Sequence, residues 1–404
     1  MPFRRFRFLR SLVGLFITLL LFLFIYQSIN LGQDRSVRMA PLQLLPAQKI
    51  SLARNVNDQK NMPSNMTVHL VVVACAGKSE NILPEALTMM KSAVLFTESL
   101  LHIHVFTTNL QNKFEEEVSS WPKSVQNKFK MTVRSLQYPL EGELLEEMMN
   151  WWGPCASFRL FLPTVMADVD SVLYVDTDVI FLGAVEEIWQ HFYLFNELQV
   201  GALAPRVGWD FKVNPNNPNF IEMPGGKFTQ VNSGVFLMNL TRMRQVIFKT
   251  DESLSKKLSP WNKDLFIPLY RLGIKDMYGD QNLINTVFHY NPERLYYLPC
   301  KYNYHHKFCF DGYRERFCDS AEKEGAFVVH GNANTYYNNY APAFKAANDA
   351  MRQYNFEEDI KKYLLKEMEN NLRNPSVENH LHCGNKSNIF LQTLTRSINS
   401  KFSR

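Results

Sequence analysis

From residue 68 to residue 175 the chain alternates short apolar runs with segments whose apolar positions recur every three or four residues. The run His69-Leu70-Val71-Val72-Val73-Ala74 predicts a strand, residues 84–96 a helix, 102–106 a second strand and 112–121 a charged amphipathic helix. Residues 131–136 predict a third strand, and a helix over 156–166 leads into Val172-Leu173-Tyr174-Val175. Strands and helices alternating at this spacing predict right-handed βαβ units around a parallel sheet. The last of these runs is continuously apolar, as a strand covered on both faces should be. Beyond it the pattern weakens into a run at 201–205, a Pro/Asn/Gly-rich loop at 214–226 and a further apolar run at 233–238. The chain from residue 357 reads as one charged helix and a polar tail.

The first thirty residues follow another rule. Arg4, Arg5, Arg7 and Arg10 precede an apolar run over 12–29, about the length that crosses a bilayer as a helix. Basic residues on that flank predict a cytoplasmic N-terminus, and bulky Phe and Leu persisting to Phe24 argue against a cleaved signal peptide. The expected organisation is a cytoplasmic tail (1–10), a transmembrane signal anchor (11–30), a polar lumenal stem (31–66), a catalytic domain (67–356) and a C-terminal helix and tail (357–404). The expected placement is therefore that of a single-pass type II protein of the endoplasmic reticulum or Golgi membrane.

Charge and cysteines refine that reading. The net charge is +5, and without the four flanking arginines the 44 basic residues exceed the 39 acidic ones by only one. No basic stripe suits nucleic acid. Cys75, Cys155, Cys300, Cys309, Cys318 and Cys383 would lie in an oxidising lumen. Cys300, Cys309 and Cys318 surround His305 and His306, but without a Cys-x-x-Cys pair they predict one or two local disulfides rather than zinc. Asn65, Asn239 and Asn385 stand in N-glycosylation sequons, Asn239 at the end of an apolar run.

Asp176-Thr177-Asp178 follows the 172–175 run directly. Open α/β sheets bind ligands beyond the carboxyl ends of their strands, and two carboxylates one residue apart there can share a hard cation. A divalent ion with open positions would neutralise a diphosphate leaving group. Two other readings fit Asp-x-Asp at a strand end: a phosphatase of the haloacid dehalogenase type, in which the first Asp is a nucleophile, and a catalytically silent sugar-binding protein.

The segment 172–180 resembles the metal-binding segment of glycosyltransferase family 8, and four more segments follow that family's order. Residues 155–163 resemble the stretch carrying its basic residue, here Arg159. Asn232-Ser233-Gly234-Val235 is similar to the start of its acceptor-side strand, Asp280-Gln281 to its Asp-Gln helix start, and Val328-Val329-His330-Gly331 to its metal-binding histidine. The chain departs from the family at Asn332-Ala333-Asn334, where Lys-Pro-Trp is usual, so no lysine contact to the diphosphate is implied. The anchor and Trp151-Trp152-Gly153-Pro154-Cys155 extend the resemblance to the glucoside xylosyltransferases within that family.

That resemblance implies a GT-A type, Rossmann-like mixed sheet and a retaining transfer of xylose from UDP-xylose to O-linked glucose on EGF-like repeats of Notch-type proteins, forming an α1,3 linkage. Asp176, Asp178 and His330 would hold Mn²⁺, since imidazole suits later ions better than Mg²⁺. Ala74, Cys75 and Ala76 would lie against the nucleoside through backbone contacts, with Thr177 near the diphosphate and Arg159 gripping its phosphates bidentately. Arg159, Asp280 and Gln281 are the implied catalytic residues, Asp280 at the acceptor and Gln281 at the sugar's far face, although an Asp at a helix start is also an ordinary cap. Asn232, Ser233, Gly234, Tyr302 and Asn303 would face the substrate. Trp151 and Trp152 offer either a sugar platform or core packing.

Overall fold

The computed structural model describes residues 66–402 except 76, 78, 207–215, 224–226, 251–258, 272–278 and 310–317. The predicted anchor, and all of the stem but Met66, lie outside these residues. Among the described residues no helix is long and apolar enough to cross a membrane.

The predicted alternation is present as β1 (Thr67–Val73), α1 (Ile82–Phe96), β2 (Leu100–Thr107), α2 (Gln111–Ser119), β3 (Phe129–Ser135), α3 (Gly142–Ala156) and β4 (Ser171–Val175). These four strands are parallel, in spatial order β3-β2-β1-β4. Because side chains alternate along a strand, Leu70, Val72, Ile103, Val105 and Leu173 bury on one face of the sheet. Val71, Val73, Phe106, Val172 and Tyr174 bury on the other. Covering both faces removes the water that would otherwise compete for the strand hydrogen bonds.

The second half changes direction. β8 (Lys227–Asn239) runs antiparallel to β4, and β6 (Gly201–Arg206) antiparallel to β8. β9 (Leu295–Tyr297) lies parallel to β6 at the edge, and the antiparallel β8 makes the sheet mixed. Within the expected loop at 214–226, β7 (Ile221–Met223) pairs with β8. A second sheet joins β5 (Val179–Phe181), β10 (Tyr304–His305) and β11 (Val328–His330). β4 and β5 therefore belong to different sheets, and Asp176, Thr177 and Asp178 form the junction.

Two expectations need correction. The helix expected over 156–166 is broken: α3 ends at Ala156, and a tight turn at Phe158–Phe161 precedes a short helix at Leu162–Val165. Pro163 has no N–H to continue an α-helical ladder across this point. The C-terminal segment is not a polar tail. It contains α7 (Lys366–Leu372) and α8 (Ser387–Phe402), and Phe390, Leu394 and Ile398 of α8 enter a third core beside α6 (Pro342–Gln353).

Two disulfides and one lysine hold this third core, and a third disulfide lies in the core on the other side of the sheet. Cys300 pairs locally with Cys318, while Cys309 pairs with Cys383, 74 residues on, and Cys75 with Cys155. All six cysteines are thus paired, with no thiolates left for zinc. The Lys91 ammonium on α1 donates to the Arg352 and Tyr354 carbonyls at 2.9 and 2.7 Å, clipping α1 to the end of α6. Burial pushes the Lys91 pKa down to about 8. Replacing Cys309 and Cys383 by serine should lower unfolding free energy by about 2–5 kcal/mol. Denaturant titration of the purified chain, read by intrinsic fluorescence, should show the reduced midpoint.

Candidate metal and nucleotide-sugar site

Strand pairing assembles the site. Val175 ends β4 opposite Val235 of β8, which sets Asn232, Ser233 and Gly234 beside Asp176; the Asp176 amide donates to the Gly234 carbonyl at 2.9 Å. His330 lies opposite Val179 in the antiparallel β11–β5 pair, and the Gly331 amide donates to the Asp178 carbonyl at 2.7 Å. Asp176, Asp178 and His330 each bring one ligand atom within 4.8 Å of the others. Gly234 makes the approach possible: a Cβ there would stand 2.2 Å from His330 Cε1 and 2.9 Å from Asp176 Oδ2.

Hydrogen bonds decide which atoms point inward. Asp176 Oδ1 accepts from Arg159 at 3.0 Å and from the Tyr174 hydroxyl at 2.8 Å. Its Oδ2 is left facing His330 Nε2 at 3.8 Å, and Asp178 Oδ1 faces the same nitrogen at 3.3 Å. The Gly234 amide and the Asn303 amide both donate to Asn232 Oδ1, each at 2.9 Å. Asn303 Oδ1 must then accept from His330 Nδ1–H, 2.8 Å away. That bond selects the tautomer whose Nε2 lone pair faces the two carboxylates, the arrangement a metal-binding histidine needs. Burial works to lower the His330 pKa, but the charge and hydrogen bond of Asp178, with Asp176, outweigh it and raise it.

Charge balance gives the trio its preference. Arg159, almost wholly buried, donates through Nε and Nη2 to the two oxygens of Asp280 and through Nη1 to Asp176 and the Ser233 carbonyl. Burial opposes the guanidinium charge, but Asp176 and Asp280 overcome that and raise its pKa further. Asp176, Asp178 and Asp280 together exceed Arg159 by two negative charges, the deficit that one divalent cation neutralises. The mixed oxygen and imidazole donor set suits Mn²⁺ or a similar ion.

The structure revises several predicted roles. The guanidinium edge expected to grip phosphates bidentately is spent on Asp280, and Asp280, itself buried, is closed off from an acceptor. Asp280 is also not the helix cap. Gly279 takes that position with φ of 89°, which glycine alone adopts freely, and Asp280 opens α5 (Asp280–Tyr290). Gln281 Oε1 accepts from the Ser233 amide at 3.2 Å. Tyr302 does not line the site. It packs edge-on against His191 and Phe327 in the core, because residues of the turn Cys300–Asn303 project in different directions. Ala74 is buried with its amide donating to the Phe106 carbonyl, and Cys75 is joined to Cys155 at the end of β1. Ala76 and the side chains of Trp151 and Trp152 fall outside the described residues.

Two residues at the site had been missed. Tyr174 shares a strand face with Asp176, a period-two relation visible in the sequence. Glu85 of α1 accepts from Thr177 Oγ1 at 2.9 Å, and burial and then Asp178 push its pKa up to about 7. No sequence signal marked it. Of the sequons, Asn385 is exposed, Asn239 uses its Oδ1 to cap Leu240–Gln245, and Asn65 falls outside the described residues.

Residues 72–335 match glycosyl transferase family 8. The chain belongs to that family. It is 38% identical to glucoside xylosyltransferase 1 of Mus musculus over 85% of this chain and 81% of the relative. Against glucoside xylosyltransferase 2 of the same species it is 35% identical over 89% of this chain and 78% of the relative. Among solved structures, an active-site mutant of LgtC superposes with a TM-score of 0.50 at 15% identity, covering 72% of this chain and 98% of that one. This family 8 chain thus has a GT-A-like fold with a mixed sheet and is a glycosyltransferase that uses a UDP-sugar. The phosphatase reading is set aside.

Asn303→Leu, which removes the acceptor for His330 Nδ1, should raise the Mn²⁺ concentration for half-maximal donor hydrolysis about 10–100-fold. The maximal rate should recover at saturating metal. Gly234→Ala should not recover, because the added methyl stands where His330 and Asp176 meet.

Proposed function

We propose that this chain transfers xylose from UDP-xylose, with retention, to a glucose O-linked to EGF-like repeats, forming an α1,3 linkage. The observation that carries the chemistry is the convergence of Asp176, Asp178 and His330 Nε2, with the imidazole tautomer held by Asn303. The sugar specificity rests on the glucoside xylosyltransferase relatives.

Asp176 Oδ2, Asp178 and His330 would hold Mn²⁺, which supplies Lewis-acid neutralisation of the departing UDP. Tyr174 and Arg159 keep Asp176 aimed by occupying its other oxygen. Arg159 also carries fixed positive charge into the buried wall of the site through its ion pairs. Ser233 orients Gln281, whose amide is a poor nucleophile. Attack of the acceptor hydroxyl on the donor face that UDP leaves is therefore the reading we favour over a covalent glycosyl intermediate.

Asp176→Asn or Asp178→Asn should lower transfer on the order of a thousandfold or more while the protein still folds. Near-normal turnover of either variant in metal-free buffer would move the site elsewhere. Xylose lacks the hydroxymethyl group of glucose, and apolar filling alone discriminates a missing group only about 10–200-fold. Strong selectivity thus requires a wall that the extra group strikes. A panel of UDP-sugars with a β-glucosylated, folded EGF-like repeat should show strong preference for UDP-xylose and an α-anomeric product by NMR. Equal rates with UDP-glucose would point to another family 8 specificity, and unaltered donor and acceptor mixtures to a silent binder.

The proposed setting is the lumen of the endoplasmic reticulum or Golgi, behind the apolar segment at 11–30. Protease added to sealed microsomes should spare the catalytic domain.

A further inference from the structure

A second cluster of metal-ligating side chains lies outside this site. In the parallel β1–β2 pair His69 stands opposite His102 and Val71 opposite His104. Two residues apart on one strand, His102 and His104 share a face, and the register brings His69 to the same face. The ring centroids lie 5.4 Å (His69–His102), 5.3 Å (His69–His104) and 3.9 Å (His102–His104) apart. Each ring can bring one nitrogen within 4.8 Å of the others.

The hydrogen bonding of the three rings is incomplete. His69 Nδ1 meets His104 Nε2 at 3.0 Å, so two imidazoles share a single proton between them. His102 Nε2 meets Thr132 Oγ1 of β3 at 2.8 Å, the kind of outer contact that orients a ligating ring. His104 Nδ1 is buried with no hydrogen-bond partner. Burial lowers the pKa of all three histidines, with His102 at about 4 and His104 at about 3. Lys130 and Arg134 of β3 add to that effect at His102 and His104, while Asp168 acts electrostatically on His69 and His102 in the opposite sense.

We propose that His69, His102 and His104 form a Zn²⁺ site that ties β1 to β2. Neutral imidazole is the form that binds zinc, and Zn–N bonds of about 2.0–2.1 Å place tetrahedral ligand nitrogens about 3.3 Å apart. The His69–His104 pair already has nearly that spacing, and His102, with its Nε2 on Thr132, offers Nδ1 as the third ligand. Water takes the fourth position. The site does not take part in transfer. His69 precedes the carboxyl end of β1 by four residues, about 13 Å at the rise of a strand, and Asp176 lies level with that end.

Zinc content of the purified full-length chain, dialysed against Zn²⁺ and then metal-free buffer, should exceed that of His102→Gln by one ion per chain. Zinc affinity at this site should fall at least about tenfold in His69→Gln and in His102→Gln. Co²⁺ in place of zinc should give intense tetrahedral absorption in the visible, lost in both variants, and His69→Cys should restore it with an added thiolate charge-transfer band. Equal zinc content in the unsubstituted chain and both glutamine variants, or no zinc retained by the unsubstituted chain, would overturn the proposal. Should His102→Gln fail to fold, the comparison with His69→Gln, on the neighbouring strand, decides it.

Discussion

The buried ion-pair cluster around Arg159 is the constraint on which the site depends. Its guanidinium joins three elements that are far apart in sequence: the broken helix after α3, the end of β4 through Asp176, and the start of α5 through Asp280. Carboxylates gathered at one junction repel one another, and in a nearly dry interior such repulsion would part the strands that carry them. A single buried cation holds two of them together. Removing one partner of such a cluster typically costs about 3–5 kcal/mol, since the charges left behind are buried and uncompensated. With Asp178 beside it, the cluster has a formal surplus of two negative charges, which makes it a receptor for a divalent ion rather than a finished salt bridge.

Around that charge the structure adds direction. The run from the Gly234 amide through Asn232 and Asn303 to His330 contains no charged group, yet it determines which imidazole nitrogen is free. Buried amides of this kind are costly unless every donor and acceptor is matched. Here the matching fixes one orientation for each side chain. Gly234 serves the same end by omission, since any side chain would occupy the space the metal ligands need.

Much of this was legible in the sequence, and the failures share a cause. Apolar runs located all of the first four strands, and the position of Asp176 and Asp178 at a strand end followed from them. His330 and Arg159 were found by resemblance, not by pattern. The misread elements were those where distant contacts override local preference. The segment from residue 357 looks polar because only one side of each helix is apolar, and those sides pack against α6 and a disulfide-bonded loop. Tyr302 and Asn303 are neighbours in sequence, but one enters the core and the other orients a metal ligand.

The sequence by itself determined the βαβ half of the sheet, the acidic pair at its mouth and the family to which the chain belongs. These are encoded in neighbouring residues, through periodicity and through motifs a few positions long. Tertiary structure alone decided that Arg159 faces carboxylates, that Asp280 supports it, that Asn303 sets the His330 tautomer and that three histidines from two strands converge. Each of those outcomes depends on strand register and on the directions of side chains far apart in the chain, and neither quantity is written in a local pattern.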